Sequence, residues 1–498
     1  MTPAFLPLLV VLPLLGAGIS MALWRHLRLQ QVLGVAVVVG ALILSLFVLD
    51  SAVREGPAVA RIGDWEPDVG IVLVADVFSA ALLTVSLVTV LAVLVFAIGQ
   101  PRGDKRAYYF HPLFLALTAG VSASFLAGDL FNLFVAFEIM LCASYVLLTL
   151  GGQREQMRSG MTYVVINLLA STLLVTSIGL IYAATGAVNM AQLALRLADL
   201  PPDVQSTLGI LLLVTFGIKA AIFPLFFWLP DAYPNAPVTV TAVFAGLLTK
   251  VGVYAIIRTQ TLLFPAADAS PLLLWLAGGT MLMGVLGAIA QDDIKRVLSF
   301  AIISSIGYMI FGLGLSTTAG LAGAILYIIS QIPVKTSLFL VNGIIETVAG
   351  TAALHNLGGL LRRVPAAAVL FLVAAASLAG IPPTSGFVGK LALVQAGFAG
   401  GAWVLTGLSL VVSALTMYAM TRIYGGAFWG DPPDPPPPVT AWGPLPERVP
   451  KLMTVATIGL VGFTVLLAIG AGPLWELSEQ AATELLSPNG YMQTVLGP

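Results

Sequence analysis

Runs of about twenty apolar residues recur along this chain, about fourteen of them, and each is long enough to cross a bilayer core about 30 Å thick. In lipid every backbone N–H and C=O must find its partner inside the protein, so runs of that length are expected to be helices packed in a bundle. Composition agrees: 59% of the 498 residues are hydrophobic and 9% are charged, against about a quarter charged in soluble domains. The fold class is therefore an all-α polytopic membrane protein. Its spans are read near 3–23, 31–50, 71–99, 109–127, 129–150, 160–185, 206–229, 236–258, 270–290, 295–315, 319–345, 365–398, 402–427 and 449–472. The first run is followed by Arg25, His26 and Arg28 and has no basic segment ahead of it, which marks a retained span rather than a cleaved signal.

Several function classes fall away at this point. A single cysteine, Cys142, lies in an apolar run and reads as a small buried residue. It excludes an intrachain disulfide and a cysteine-held metal cluster, so no cofactor or metal centre is expected. A net charge of −1 without a basic tract gives nucleic acid nothing to bind.

Basic residues divide unevenly between alternate loops. One set of loops and span ends holds Arg25, Arg28, Arg102, Lys105, Arg106, Arg154, Arg158, Lys295, Arg296, Arg362, Arg363, Arg422, Arg448 and Lys451. The other holds only Arg54, Arg61, Arg196 and Arg258. Positive loops stay in the cytoplasm, so both termini are expected on the outer side. Of the 22 basic residues, those left inside spans are all lysines: Lys219, Lys250, Lys335 and Lys390. One deep acid joins them, Glu138, a little over two helical turns below Asp129, which is expected at the outer surface. Ionisable groups at membrane depth usually line a functional path, and a desolvated lysine, unlike arginine, can release its proton near neutral pH. Asp231, Asp292 and Asp293 are read as capping or solvated groups in cytoplasmic turns.

Two spans cannot be continuous helices. The seventh is interrupted at Pro224, and the twelfth carries SLAGIPPTSGFVGK, with Pro382, Pro383 and Gly386. Irregular backbone at membrane depth is tolerated where it lines a cavity, and paired broken helices point to an inverted repeat. Spans 4–8 and 9–13 then form two five-helix units, inserted in opposite senses, with the break fourth in each and Lys219 and Lys390 in equivalent places. The corresponding divisions are 1–108 for spans 1–3, 109–259 and 270–427 for the two units, and 428–498 for a proline-rich cytoplasmic linker, the last span and a short outer tail. That tail, LWELSEQAATELL, reads as an amphipathic surface helix.

DLFNLFVAFEIM, GIKAAIFPLFFWLPDAYPNAPVTVTAVFAGLLTKVG, QDDIKRVLSFAIISSIGY, VKTSLFLVNG and SLAGIPPTSGFVGK stand in this order. With these motifs the chain resembles the antiporter-like membrane subunits shared by Mrp-type cation/proton antiporters and respiratory complex I, the D-type of Mrp above all. The resemblance implies a functional pair, Glu138 with Lys219, continued by Lys250, Lys335 and Lys390 along a horizontal polar axis. It also implies partners: other membrane subunits of a hetero-oligomeric bacterial complex in the plasma membrane, and protons and Na+, with K+ or Li+ as further candidates. The expected function is that of an ion-transport subunit, not an enzyme, carrying protons along this axis against cation efflux. Alternatives are an N-type proton-pumping subunit of complex I, a stand-alone solute carrier and a purely structural subunit. One departure concerns span 11, where relatives often carry histidine and this chain has Ser330 and Gln331.

Overall fold

The computed structural model describes residues 3–66, 70–100, 107–265, 269–431 and 449–497. Arg102, Lys105, Arg106, Arg448 and the proline-rich tract over 432–448 lie outside the described residues. Apolar runs become helices wherever the sequence predicts them. In chain order these are α1 (Leu8–Ala22), α2 (Leu27–Glu55), α3 (Val77–Gly99), α4 (Ala107–Leu126), α5 (Leu130–Thr149) and α6 (Arg154–Thr185). A short helix, α7 (Met190–Ala198), leads to α8 (Pro202–Ala220), α9 (Trp228–Ala232), α10 (Val238–Val243) and α11 (Thr249–Leu262). The second half holds α12 (Ser270–Ile289), α13 (Ile294–Gly314), α14 (Thr318–Ala349), α15 (Leu360–Arg363), α16 (Pro365–Ala379), α17 (Ser385–Ala399) and α18 (Trp403–Tyr424). The chain closes with α19 (Lys451–Ile469), α20 (Ala471–Leu486) and α21 (Asn489–Leu496).

Among the described residues, 12 helices are long and apolar enough to cross a membrane. Together with α1 and the α16–α17 pair they account for the expected spans. One element goes beyond the sequence reading: a two-stranded antiparallel hairpin, β1 (Ala58–Arg61) with β2 (Val72–Ala75), which takes the first residues read as span 3. Asp76 then starts α3 through a capping box with Ser79.

The centre of the bundle is α14, in contact with α3, α10, α13, α16, α17, α19 and α20. The most hydrophobic stretches of α14 and of the continuous run Val238–Leu262 are wholly buried, so Lys250 and Lys335 belong to helices with no lipid-facing side. By contrast α2 is largely exposed, as a peripheral helix facing lipid or other subunits must be.

Local geometry repeats between the two units, at one constant spacing through the first three helices of each. Gly120 lies against the Met140 backbone and Gly284 against that of Ser304. Asp129 caps α5 and Asp293 caps α13, and each forms an isolated bridge, to Asn189 and Ala353. Helices α6 and α14 are both 32 residues long and end on left-handed glycines, Gly186 and Gly350. The breaks correspond as well: Ala221 ends α8 with φ 58° and Gly380 ends α16 with φ 83°, and cis peptides follow at Phe223–Pro224 and Pro382–Pro383.

This repeat corrects two expectations. Gly386 does not break a helix. It sits in the first turn of α17, where its N–H donates to Ser377 Oγ at 3.0 Å and a Cβ would collide with the Ser377 carbonyl. Gly380 is the residue whose left-handed backbone makes the turn. Nor are Lys219 and Lys390 equivalent: Lys219 lies in the last turn before its break, Lys390 in the helix after its own. In the register of the breaks Lys390 matches Asp231, and in that of the earlier helices Lys335 matches Ser171.

The C-terminal tail is helical with one buried face, as the sequence predicts, and that face is docked on the bundle. In α20 the buried face is Ser478, Ala481, Ala482 and Leu485, packed on α14, α3 and α11. Arg61 donates to the Val495 carbonyl at 2.9 Å and ties α21 to the hairpin.

Candidate functional site

Glu138 is carried on α5 and Lys219 on the last turn of α8, where a cation is favoured by the carbonyl end of the helix. They are bridged through Ser171 on α6. The Lys219 ammonium donates to Ser171 Oγ at 3.2 Å, and the Ser171 hydroxyl donates to Glu138 Oε1. Phe137 turns its ring face to the ammonium at 4.8 Å, a further source of attraction for a cation away from water. Lys219 is buried, while Glu138 is half-buried on the flank of the bundle. A small cavity of about 10 Å³, walled mainly by Phe137, Met140, Leu141 and Leu248 with Asn167 and Tyr163 as polar groups, adjoins Lys219 and is close to the size that holds one water.

Leu248 belongs to a wide π turn, Phe244–Leu248, inserted between α10 and α11. Such bulges often mark functional positions in helices. Here the turn stands next to Lys250, whose ammonium donates to the Ala245 carbonyl at 2.5 Å. Two glycines let the neighbouring backbones close on this point. A Cβ at Gly252 would stand 2.7 Å from the Ala220 nitrogen, so α11 crosses α8 beside Lys219. Gly246 lies under Thr336 of α14, and Thr336 Oγ1 donates to the Ala242 carbonyl at 3.2 Å.

Lys335 is fully buried on α14 and stands within electrostatic reach of Lys250 on one side and Lys390 on the other. Its ammonium makes no hydrogen bond to a protein atom, nor do the amide nitrogen and oxygen of Gln331 one turn before it. Buried polar atoms in this state are costly unless water satisfies them. Pro333, within the same turn, has no N–H to offer the Ile329 carbonyl. Ser330 turns back on its own helix, donating to the Tyr327 carbonyl at 2.9 Å. Of the two residues standing where relatives often have histidine, Gln331 is thus the one free to hold water.

Lys390 reaches back across the break in span 12. Its ammonium donates to the Ala379 carbonyl at the end of α16 at 3.1 Å and to Ser413 Oγ on α18 at 3.0 Å, and lies 4.6 Å from the Tyr308 ring centre. Lys219 and Lys390 thus both sit at the carbonyl end of an interrupted helix, one from within the helix and one from beyond it. Tyr308 packs on Tyr327, 5.4 Å between ring centres, and Tyr327, Gln331 and Lys335 follow at successive turns on one face of α14. The polar groups therefore fall into two clusters, Glu138–Ser171–Lys219 and Lys250–Lys335–Lys390, with the small cavity and Gly252 between them.

Other residues fall differently from their sequence-based readings. Arg258, assigned to an outer loop end, is 4% exposed and pairs with Asp76 at 2.6 Å, an ion pair that neither residue's local sequence announces. Asp129, expected at the surface, is 4% exposed because it caps α5 beneath the chain that leads into α3. Cys142 is exposed, not buried, since it points outward from α5. Asp293 caps α13, while Asp292 pairs with Arg422 and Asp231 with Arg296. Ser171 and Gln331 carry no charge and so give no signal at membrane depth.

Residues 127–416, more than half of the chain, match the family described as NADH:quinone oxidoreductase/Mrp antiporter, TM. Over 490 residues, 98% of each chain, the sequence is 41% identical to the D-type Na(+)/H(+) antiporter subunit of Alkalihalophilus pseudofirmus. The chain belongs to the family of D-type Mrp antiporter subunits. A chain of the solved Mrp complex from a Dietzia species superposes with TM-score 0.93 at 35% identity and covers 100% of both chains. A chain of Thermus thermophilus respiratory complex I with bound NADH shares the fold, with TM-score 0.82 at 23% identity over 97% of this chain and 99% of its own. The wider family thus spans both complexes on one architecture, and the D-type relatives share more of this sequence.

Proposed function

We propose that this chain is the proton-carrying subunit of a multisubunit Na+/H+ antiporter in the bacterial plasma membrane, moving protons along Glu138, Lys219, Lys250, Lys335 and Lys390 against cation efflux. The observation that carries the reading is Lys335, an unpartnered amine buried between two others and beside an unpartnered glutamine. A purely structural lysine would be paired. Membership of the D-type family supports transmembrane cation/proton transport, and its relatives are named as antiporter subunits, transporters and not enzymes. The lower identity to complex I leaves an N-type pump the weaker reading.

Ser171 links the pair chemically. As its hydroxyl gives a proton to Glu138, it takes one from Lys219, so charge moves between them without direct contact. A neutral Lys219 can then be recharged by water in the cavity next to it. Between the amines the coupling is Coulombic: at an effective dielectric near 20, charges about 7 Å apart still interact by roughly 2 kcal/mol, enough to bias a neighbour's protonation more than tenfold. Hard cations favour clustered oxygen ligands, and Glu138 is the one carboxylate along this axis, so the sodium path is assigned partly to other subunits. Glu138→Ala and Lys219→Ala should each reduce Na+/H+ exchange in everted vesicles to background with the complex still assembled. Wild-type exchange in both would end the proposal.

A further inference from the structure

A second polar site lies at the outer end of α11, away from the lysine axis but aligned with it. Lys250, Tyr254 and Arg258 follow at successive turns on one helix face, so Arg258 stands about 12 Å beyond Lys250. Around Arg258 the side chains of Phe78, Tyr254 and Tyr491 present ring faces, and Asp76 holds its guanidinium at 2.6 Å. Above them is a cavity of about 70 Å³ lined by Asp76, Arg258, Glu484, Ser487 and Tyr491, well beyond the roughly 10–15 Å³ that one water needs. The docked helices α20 and α21 form its roof, and Glu484 is partly buried at the rim, with Oε2 enclosed by protein and Oε1 accepting from Gln480 Nε2 at 3.1 Å.

Resting on the proton-axis reading above, we propose that this pocket is the outer port of the proton route. Glu484 exchanges protons with external water, and the Asp76-neutralised Arg258 and the Tyr254 hydroxyl lead inward to Lys250. A hydronium gives its proton to the Glu484 carboxylate, leaving water. The acid passes it to a pocket water and is again a carboxylate. That water passes it inward past the Tyr254 hydroxyl, which accepts from Arg258 at 3.3 Å and donates to the Phe125 carbonyl at 2.8 Å, and further water delivers it to the neutral amine of Lys250 one turn deeper, which becomes an ammonium.

Two features suit Glu484 to this exchange. Burial raises its carboxyl above the ordinary value, and the negative charge of Asp76 adds to this, while the hydrogen bond from Gln480 and the positive charge of Arg258 oppose it. The groups facing it are Asp76 and the Val77 N–H from the start of α3, Arg258 from α11, Tyr491 from α21 and Gln480 from its own helix. Helix α14 also packs on α20, but its ionisable residues are Tyr327, stacked on Tyr308, Lys335 at mid-span and Glu346 at the opposite end. The Asp76–Arg258 pair cancels a fixed positive charge that would repel hydronium.

The test uses the assembled antiporter complex in right-side-out vesicles, with inner pH fixed and outer pH varied. Glu484→Gln should lower exchange about a hundredfold, the low end of what a positioned proton-transfer group contributes, and flatten the dependence on outer pH while that on inner pH persists. Glu484→Asp should restore it. Asp76→Asn, which keeps the helix cap, should depress exchange further by leaving Arg258 uncompensated. An unchanged outer-pH profile in Glu484→Gln would overturn the port, as would a shift confined to the external Na+ dependence. If Glu138→Ala and Lys219→Ala abolish exchange in the same vesicles, such a result sinks the port alone; if they do not, the axis itself fails.

Discussion

Gln331 has no charge, yet in the proposed relay it stands one turn before Lys335 on the same face of α14. Its amide is buried with neither polar atom bonded to protein, a state that favours a bound water and penalises the fold if the water is lost. Gln331→Leu removes that penalty along with the water site. Stability and transport should therefore separate: the complex melts at an unchanged or higher temperature while exchange falls well below the wild-type rate. Gln331→His, which restores an ionisable group, should recover exchange. A Leu variant with normal exchange would place the relay elsewhere.

At the scale of elements, two close helix crossings set the spacing of the amines. Gly252 lets α11 rest on the backbone of Ala220 beside Lys219, and a side chain there would meet that backbone at 2.7 Å. A Gly252→Ala substitution should cost about 1–3 kcal/mol through overpacking, seen as a lower melting temperature, and reduce exchange by widening the gap between the two clusters. Much of this architecture is legible in the sequence. The helices, the breaks at Pro224 and Pro382–Pro383 and the buried lysines all leave marks in a single chain, because apolar length, proline and charge in lipid are each locally expensive choices. What cannot be read that way depends on contacts between distant segments. Arg258 looks like any span-end arginine until Asp76 is brought to it from another helix, Ser171 like any serine until Lys219 turns toward it, and the tail like a surface helix until α14 provides its seat. Gly386 misleads because a glycine needed for close packing and one needed for a turn look the same in sequence; the turn here belongs to Gly380.

The whole molecule has two charged ends, and its orientation decides which side each proton port faces. At one end stand the Lys295–Glu346, Arg296–Asp231 and Arg422–Asp292 pairs, with Arg154 and Arg158 in the first turns of α6 and Arg362 and Arg363 in the short α15 assigned to the same side. At the other end are the hairpin, the Arg258–Asp76 pair and the C-terminal helices α20 and α21. Positive loops resist export, so the arginine-rich end is assigned to the cytoplasm and the Glu484 pocket to the outside. The single cysteine permits a direct check. Because Cys142 is exposed on α5, it is first replaced by serine, and a new cysteine is placed at Gly490, where a Cβ meets nothing within 4 Å. A membrane-impermeant maleimide should label Gly490→Cys in intact cells, whereas a cysteine at Arg362 should react only after the membrane is opened. The reverse pattern would invert every crossing at once, turning the proposed outer port into an inner one and leaving the charge asymmetry without an explanation.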